Sequence, residues 1–181
     1  MHRKPLLDLL YNYEAFDDIE TEYHGRIIRF VSEHPDCFER TLAVGHVTGS
    51  AWIVDPARQQ TVLLHHLKLD RWFQPGGHCD GDSDVQRVAF REANEETNLV
   101  VKPIDRNIFD LDIHRIPGNS REAAHLHYDV RFLLEADPSQ PLMPNSESKA
   151  LAWVPLEKVV LYNPDASLMR MVAKSLLISR E

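Results

Sequence analysis

The chain has 181 residues, 43% hydrophobic and 27% charged, with 20 basic against 28 acidic side chains for a formal charge of −8. This is the composition of one soluble globular domain with a real core, and its acidic balance argues against charge-driven binding to nucleic acid or an anionic membrane. Cys37 and Cys79 are its only cysteines, too few for a disulfide scaffold. No leader pattern precedes the first amphipathic segment and no apolar run approaches the ~20 residues that span a bilayer, so the expected compartment is the reducing cytoplasm.

In chain order, residues 5–34 read as helical. Leu6, Leu7, Leu9 and Leu10 begin a short helix. Asp17 and Glu20 then have capping-box spacing, ahead of a stripe of Ile19, Tyr23, Ile27, Phe30 and Val31. Pro35 stops the second helix. Residues 1–38 are therefore expected to form a helical extension packed on a core domain of residues 39–181, suited to simple stabilisation or to a homodimer contact. The period then changes. Residues 41–47 and 50–55 are β-rich and flank Thr48-Gly49, a turn signal, and residues 61–66 follow after a second turn, which predicts a three-stranded meander. A loop and helix span roughly 74–97. Strands are expected at 108–115, 125–134 and 150–154, with a loop at 117–120. Helices are expected at 156–161 and 166–178, the last with Leu168, Met171, Val172, Ser175 and Leu176 on one face. Strands interrupted by one helix and followed by others imply an α/β (α+β) fold with a mixed sheet between helices.

The chemistry concentrates in residues 76–96. Gly76-Gly77 leads into a helix for which Ser83 and Gln86 have capping-box spacing, and that helix ends in Arg91-Glu92-Ala93-Asn94-Glu95-Glu96. At ~100° per residue, Glu92 and Glu96 lie ~40° apart and Glu95 ~60° to the other side of Glu92. Like charges so placed repel, and a hard divalent cation such as Mg²⁺ or Mn²⁺ would reverse that penalty. Gly76-Gly77 lets the preceding backbone approach closely, so a carbonyl could join the ligand shell. Such a cation suggests a phosphate substrate, since it polarises a phosphoryl oxygen while a spare carboxylate acts as base. The bland alternative is a solvated acidic helix end, partly paired through Arg91 and Glu95.

The full spacing resembles the Nudix box, Gly-x5-Glu-x7-Arg-Glu-U-x-Glu-Glu-x-Gly-U with U a bulky aliphatic residue. With Gly77 as the first glycine, Arg91, Glu92, Glu95, Glu96 and Leu99 fall on family positions. The resemblance covers about residues 40–160. It implies a Nudix α/β/α sandwich whose enzymes use Mg²⁺ or Mn²⁺ while water attacks one phosphorus of a nucleoside diphosphate linked to another moiety. It also implies Glu92 and Glu96 as metal ligands, Glu95 as ligand or base, the Gly76 carbonyl as a candidate ligand, and Arg91 among the catalytic set. Three positions depart from the pattern. Ala93 replaces the aliphatic residue. Asn98 replaces the last glycine, and Asn tolerates the left-handed backbone that ends a helix. Ser83 stands where the family has its first glutamate, which typically anchors the box arginine. Asp80, Asp82 and Asp84 are all available to substitute, and the Pro-Gly-Gly-His-x-Asp-Gly-Asp form looks like a bacterial subgroup that carries this change.

Other residues give weaker signals. Asp80–Asp84 begin like a calcium loop, but Val85 and Arg91 stand where that loop needs Gly and Glu. Glu147 lies just before the last strand, where several Nudix enzymes place a base or an extra ligand. His78 follows Gly77 and is suited, with Gly77 itself, to a phosphate or leaving group, while Arg71 and Lys68 flank the loop and are suited to steering phosphate. His65, His66, His78, His125 and His127 are numerous, and His125 and His127 would share one face of a strand. A three-ligand zinc site is one reading of them, but their spacing matches no known zinc pattern, so they read mainly as surface or hydrogen-bonded histidines. Trp52, Trp72 and Trp153 read as core. Two functional classes follow: a metal-dependent diphosphate hydrolase acting on a small nucleotide-type molecule, or a Nudix-fold nucleotide-binding or sensor protein without turnover.

Overall fold

The computed structural model describes residues 2–118 and 123–178; the loop expected at 117–120 lies partly outside them. Helices α1 (Lys4–Tyr11) and α2 (Asp18–Glu33) come first, then strands β1 (Gly45–Val54), β2 (Gln60–His66), β3 (Trp72–Phe73) and β4 (Gly76–His78). Helix α3 (Val85–Thr97) follows, then β5 (Lys102–Pro103), β6 (Asp110–Ile116), β7 (His125–Glu135) and β8 (Ser148–Pro155). A single 3₁₀ turn, Leu156–Lys158, leads into α4 (Val159–Tyr162) and α5 (Ala166–Ile178). No described helix is long and apolar enough to cross a membrane.

The centre of the mixed sheet is a parallel pair. Strands β1 and β7 run side by side from Gly45↔Leu126 to Val54↔Glu135. Antiparallel β6 and β5 extend β7 outward, and antiparallel β4 pairs with the middle of β1, Thr48 to Ser50. Strand β2 is in ladder register with β1 at Val54↔Thr61 and then turns away to pair with β8 and β3. The sheet therefore curls, with two arms meeting at the end of β1. The alternation of a β-strand assigns the two faces. Val47, Ala51 and Ile53 of β1 join Val130, Phe132 and Leu134 of β7 in a core shared with α1, α2 and α3. Trp52, Val54 and Leu133 face the other way, against Leu168, Met171 and Val172 of α5. This is the α/β/α arrangement expected from the sequence; Leu6 and Leu10 of α1 and Ile27, Phe30 and Val31 of α2 are part of the first core.

Three expectations are corrected. There is no turn at Thr48-Gly49 and no meander: β1 is continuous, and its main partner is β7, some 80 residues on. Gly49 is there for a different reason. A Cβ on it would lie 2.8 Å from the Val85 carbonyl oxygen and 3.2 Å from the Ala89 nitrogen, so its small size lets the α3 backbone rest on the strand. Ser83 does not cap α3; Asp84 does, accepting a hydrogen bond from the Arg87 N–H at 3.1 Å, while Gln86 reaches the Asp105 carbonyl instead. The segment read as one helix at 156–161 is the 3₁₀ turn followed by α4. By contrast, Asp17 caps α2 through the Glu20 N–H as its spacing predicts, and Asn98 ends α3 with a left-handed φ of 63°.

Candidate active site

The glutamates of α3 meet the Gly76–His78 strand because both elements lie on β1. Strand β4 is in register with it through Ser50↔Gly76 and Gly49↔Gly77, and α3 crosses the same glycine. The fit is close: a Cβ on Gly77 would sit 2.5 Å from the Glu92 carboxyl carbon and would displace that carboxylate. Gly76 N–H donates to Glu96 Oε2 at 2.9 Å. Arg91 donates through Nη2 to the His78 carbonyl at 3.0 Å and to Glu92 Oε1 at 2.9 Å. The arginine thus ties the end of the helix to the loop.

This pairing answers what holds Arg91 in place of the missing box glutamate. None of the three nearby aspartates bonds to it. Asp80 is ion-paired with Arg40, Asp82 with Arg87 at 2.6 Å, and Asp84 caps the helix. The box supplies its own anchor, Glu92, and a backbone carbonyl. The bland pairing of Arg91 with Glu95 is not what forms.

Electrostatics set the character of the cluster. Glu96 is 6% exposed, and burial, reinforced by the charges of Glu92, Glu147 and Glu95, pushes its carboxyl up to about 7 against the Gly76 hydrogen bond. Burial also raises Glu92, with Glu95 and Glu147 adding to it and Arg91 opposing it. Glu95 and Glu147 are exposed at the mouth. The loop carrying Glu147 is fixed by a hydrogen bond from the Leu67 N–H to its carbonyl at 2.8 Å. Glu92, Glu95 and Glu147 lie near enough for their charges to raise Glu96, and carboxylate oxygens are the donors that a hard divalent cation prefers. Every donor is oxygen, and Glu96 accepts only one hydrogen bond among the described residues, from a neutral amide.

Of the remaining sequence candidates, Arg71 bonds Asn163 at 3.0 Å, lies 3.9 Å from Asp165, and stacks over Phe73; no described hydrogen bond or ion pair joins it to the box carboxylates. His78 turns its ring to other histidines, 5.0 Å from His46 and 5.1 Å from His127. Trp52 is fully buried, its indole donating to Ser175. His65 stacks on Trp72 at 4.9 Å and contacts Asp70. An open groove lined by Tyr13, Phe16, Phe109, Leu133 and Lys174 shares no residue with the box.

The sequence reading missed a polar row beneath the loop. Asp129 accepts from Thr48 Oγ1 at 2.8 Å, Ser50 Oγ at 2.7 Å and Arg131 Nε at 2.8 Å. Gln74 Nε2 approaches the same carboxylate at 3.4 Å. Because β1 was expected to break at Gly49, the alternation His46, Thr48, Ser50 was not read as one face; read as a continuous strand, it is the signal that would have found this row.

The NUDIX domain profile matches residues 46–174, well over half of the chain. No match was found among curated protein sequences. Among solved structures, a C. elegans Ap4A hydrolase binary complex superposes with a TM-score of 0.61 at 17% identity, covering 75% of this chain and 98% of that one. A NUDIX-family hydrolase from Clostridium perfringens gives 0.53 at 24% identity, covering 74% and 97%. The MutT protein from Methanosarcina mazei Go1 gives 0.55 at 17%, covering 77% and 99%. The likenesses establish the fold and the profile establishes the family, so with its box carboxylates present on that fold the chain belongs to the Nudix family as a Nudix-type pyrophosphatase.

Proposed function

We propose that the protein hydrolyses the diphosphate of a nucleoside diphosphate derivative in a Mg²⁺- or Mn²⁺-dependent reaction centred on Glu92, Glu95 and Glu96. The observation that carries this reading is the buried Glu96 carboxylate, which burial and the charges of Glu92, Glu147 and Glu95 push up to about 7, a penalty on its ionised form that a bound cation would offset. Glu92, Glu96 and the Gly76 carbonyl would hold the ion, with Glu95 as a further ligand or the base. When bound, that ion supplies Lewis acidity toward a phosphoryl oxygen and lowers the pKa of a water.

The side chains do the remaining work. Arg91 fixes Glu92 and the His78 carbonyl relative to each other, which sets the carboxylate in place before substrate arrives. Glu95 and Glu147 are exposed beside the buried pair and are the groups able to accept a proton from the attacking water. The water oxygen forms a bond to one phosphorus, the bridging P–O bond breaks, and the leaving phosphate takes the electron pair. Gly77 leaves the approach to Glu92 open. The small-molecule substrate stays at the level of a nucleotide-type diphosphate.

The test is a substrate panel of dinucleoside polyphosphates, ADP-ribose, nucleotide sugars, coenzyme A and oxidised nucleoside triphosphates. It is run with Mg²⁺, with Mn²⁺ and with chelator, and read by product mass. Turnover that needs metal and falls by about 10³ or more in Glu96→Gln, at unchanged fold, supports the assignment. A ligand that stabilises the protein thermally yet yields no product with any metal returns it to a binding role.

A further inference from the structure

A second cluster of ligating side chains lies at the start of the central strand pair, and the glutamate chemistry does not use it. Strand register places His46 beside His127 on β7 and His127 beside His114 on β6. His125 lies two residues before His127 and so on the same face. His46 is 0% exposed, and neither of its ring nitrogens has a hydrogen-bond partner among the described residues. A buried polar atom without a partner is costly, and His46 carries two.

The neighbouring nitrogens offer a use for them. Ligating atoms of His46, His125 and His127 all lie within 4.8 Å of one another. His125 Nε2 and His127 Nε2 are 3.3 Å apart. Two nitrogens bound to one Zn²⁺ at ~2.0–2.1 Å with a tetrahedral angle between them are separated by about 3.3 Å. The other nitrogen of His125, Nδ1, sits 2.9 Å from the Ala123 carbonyl, which fixes the tautomer and turns the Nε2 lone pair toward His127, as the outer hydrogen bond of a metal-bound histidine does.

We propose that His46, His125 and His127 form a binding site for a borderline divalent d-block cation, Zn²⁺ foremost, separate from the carboxylate site. The donor sets divide the two. An all-oxygen cluster selects Mg²⁺ or Mn²⁺, and three imidazoles select Zn²⁺ and its neighbours. Three protein ligands leave a fourth tetrahedral position for water or a small anion. An ion here bridges β1 to β7 next to the strand that carries Gly76 and Gly77.

The test uses full-length protein prepared without a metal-affinity tag, stripped with chelator and titrated with Zn²⁺ or Co²⁺ in excess Mg²⁺. One equivalent bound per chain is expected, with Co²⁺ giving the intense visible bands of tetrahedral nitrogen coordination. His125→Asn and His127→Gln should lose those bands and weaken binding by at least the roughly 10–100-fold that outer-shell changes cost, while Glu92→Gln keeps both. His46→Ala empties a buried position and risks misfolding, so X-ray absorption on the wild-type zinc protein serves as its independent check and should show a nearest shell of nitrogen. The assignment is overturned if wild type retains no Zn²⁺ in excess Mg²⁺, if the Co²⁺ bands are the weak ones of six oxygens, or if Glu92→Gln abolishes binding and the histidine variants do not.

Discussion

Glu96 carries the sharpest consequence at the level of a single side chain. Its carboxyl titrates at about 7 in the folded, metal-free protein against an ordinary value of 4.5, a difference worth about 3 kcal/mol. The native state therefore holds this proton more tightly than the unfolded chain does. The stability so conferred is complete below pH ~4.5 and is lost as pH rises through about 7, and Glu92 is raised in the same direction. A divalent ion requires the ionised carboxylate, so its affinity should climb over the same interval. Melting curves in chelator and in Mn²⁺ test this: the metal-induced gain should be small at pH 5 and large at pH 8. Glu96→Gln should melt higher than wild type in chelator at pH 8 and respond little to Mn²⁺. A metal gain independent of pH, or a Glu96→Gln protein destabilised in chelator, counts against the charge argument.

Between elements, two glycines do comparable work with different consequences. The Cβ of Gly49→Ala meets the α3 backbone, 2.8 Å from the Val85 carbonyl. The helix must lift, so this variant should lose about 1–3 kcal/mol in chemical denaturation. The Cβ of Gly77→Ala meets the flexible end of Glu92 at 2.5 Å. That side chain can swing away, so stability should change little while turnover falls by roughly 10²-fold, the scale of a 1 Å misplacement. At the head of α3, Asp84→Ala should cost about 1 kcal/mol and Ser83→Ala close to nothing, because Asp84 holds the Arg87 N–H. These positions also mark how far the sequence could be read. Ser83 and Asp84 are both cap formers, and only the backbone path decides between them. Thr48-Gly49 has turn chemistry, yet Gly49 serves close packing against a helix that begins 36 residues later. Regular alternation in β6 and β7, the apolar face of α5 and the spacing of the box were legible because they are local patterns. The parallel pairing of β1 with β7, which assembles Thr48, Ser50 and Asp129 under the loop, is a long-range event with no local trace.

Across the whole molecule, one buried ionic network joins the helical extension to the floor of the active site. Lys174 of α5 donates to Glu20 of α2 at 2.6 Å, to Asp110 of β6 at 2.8 Å, and to Tyr13 and the Phe109 carbonyl. Arg170 grips Asp110 in a two-pronged contact. Arg131 of β7 bridges Asp110, Asp112 and Asp129, and Asp129 holds Ser50, which is in register with Gly76. Burial alone would raise Asp112, but Arg131 and His114 outweigh it and hold its carboxyl at about 2. Its contribution to stability is thus present above pH ~4 and lost as pH falls through about 2. Replacing a well-packed buried network by apolar groups can be neutral, whereas removing one member strands its partners. Lys174→Met leaves Glu20 and Asp110 short of a cation while keeping much of the volume, and should cost about 3–5 kcal/mol, or roughly 6–20 °C in Tm for a chain of this size. Adding Glu20→Gln to Lys174→Met should recover part of that loss, giving a double variant more stable than the two single losses added together. Because the network spans α2, the sheet and α5, unfolding should stay a single transition in every variant, followed equally by far-ultraviolet ellipticity and tryptophan fluorescence. An early, separate transition of the N-terminal helices in Lys174→Met alone would show instead that the extension is an independent unit that this contact merely docks.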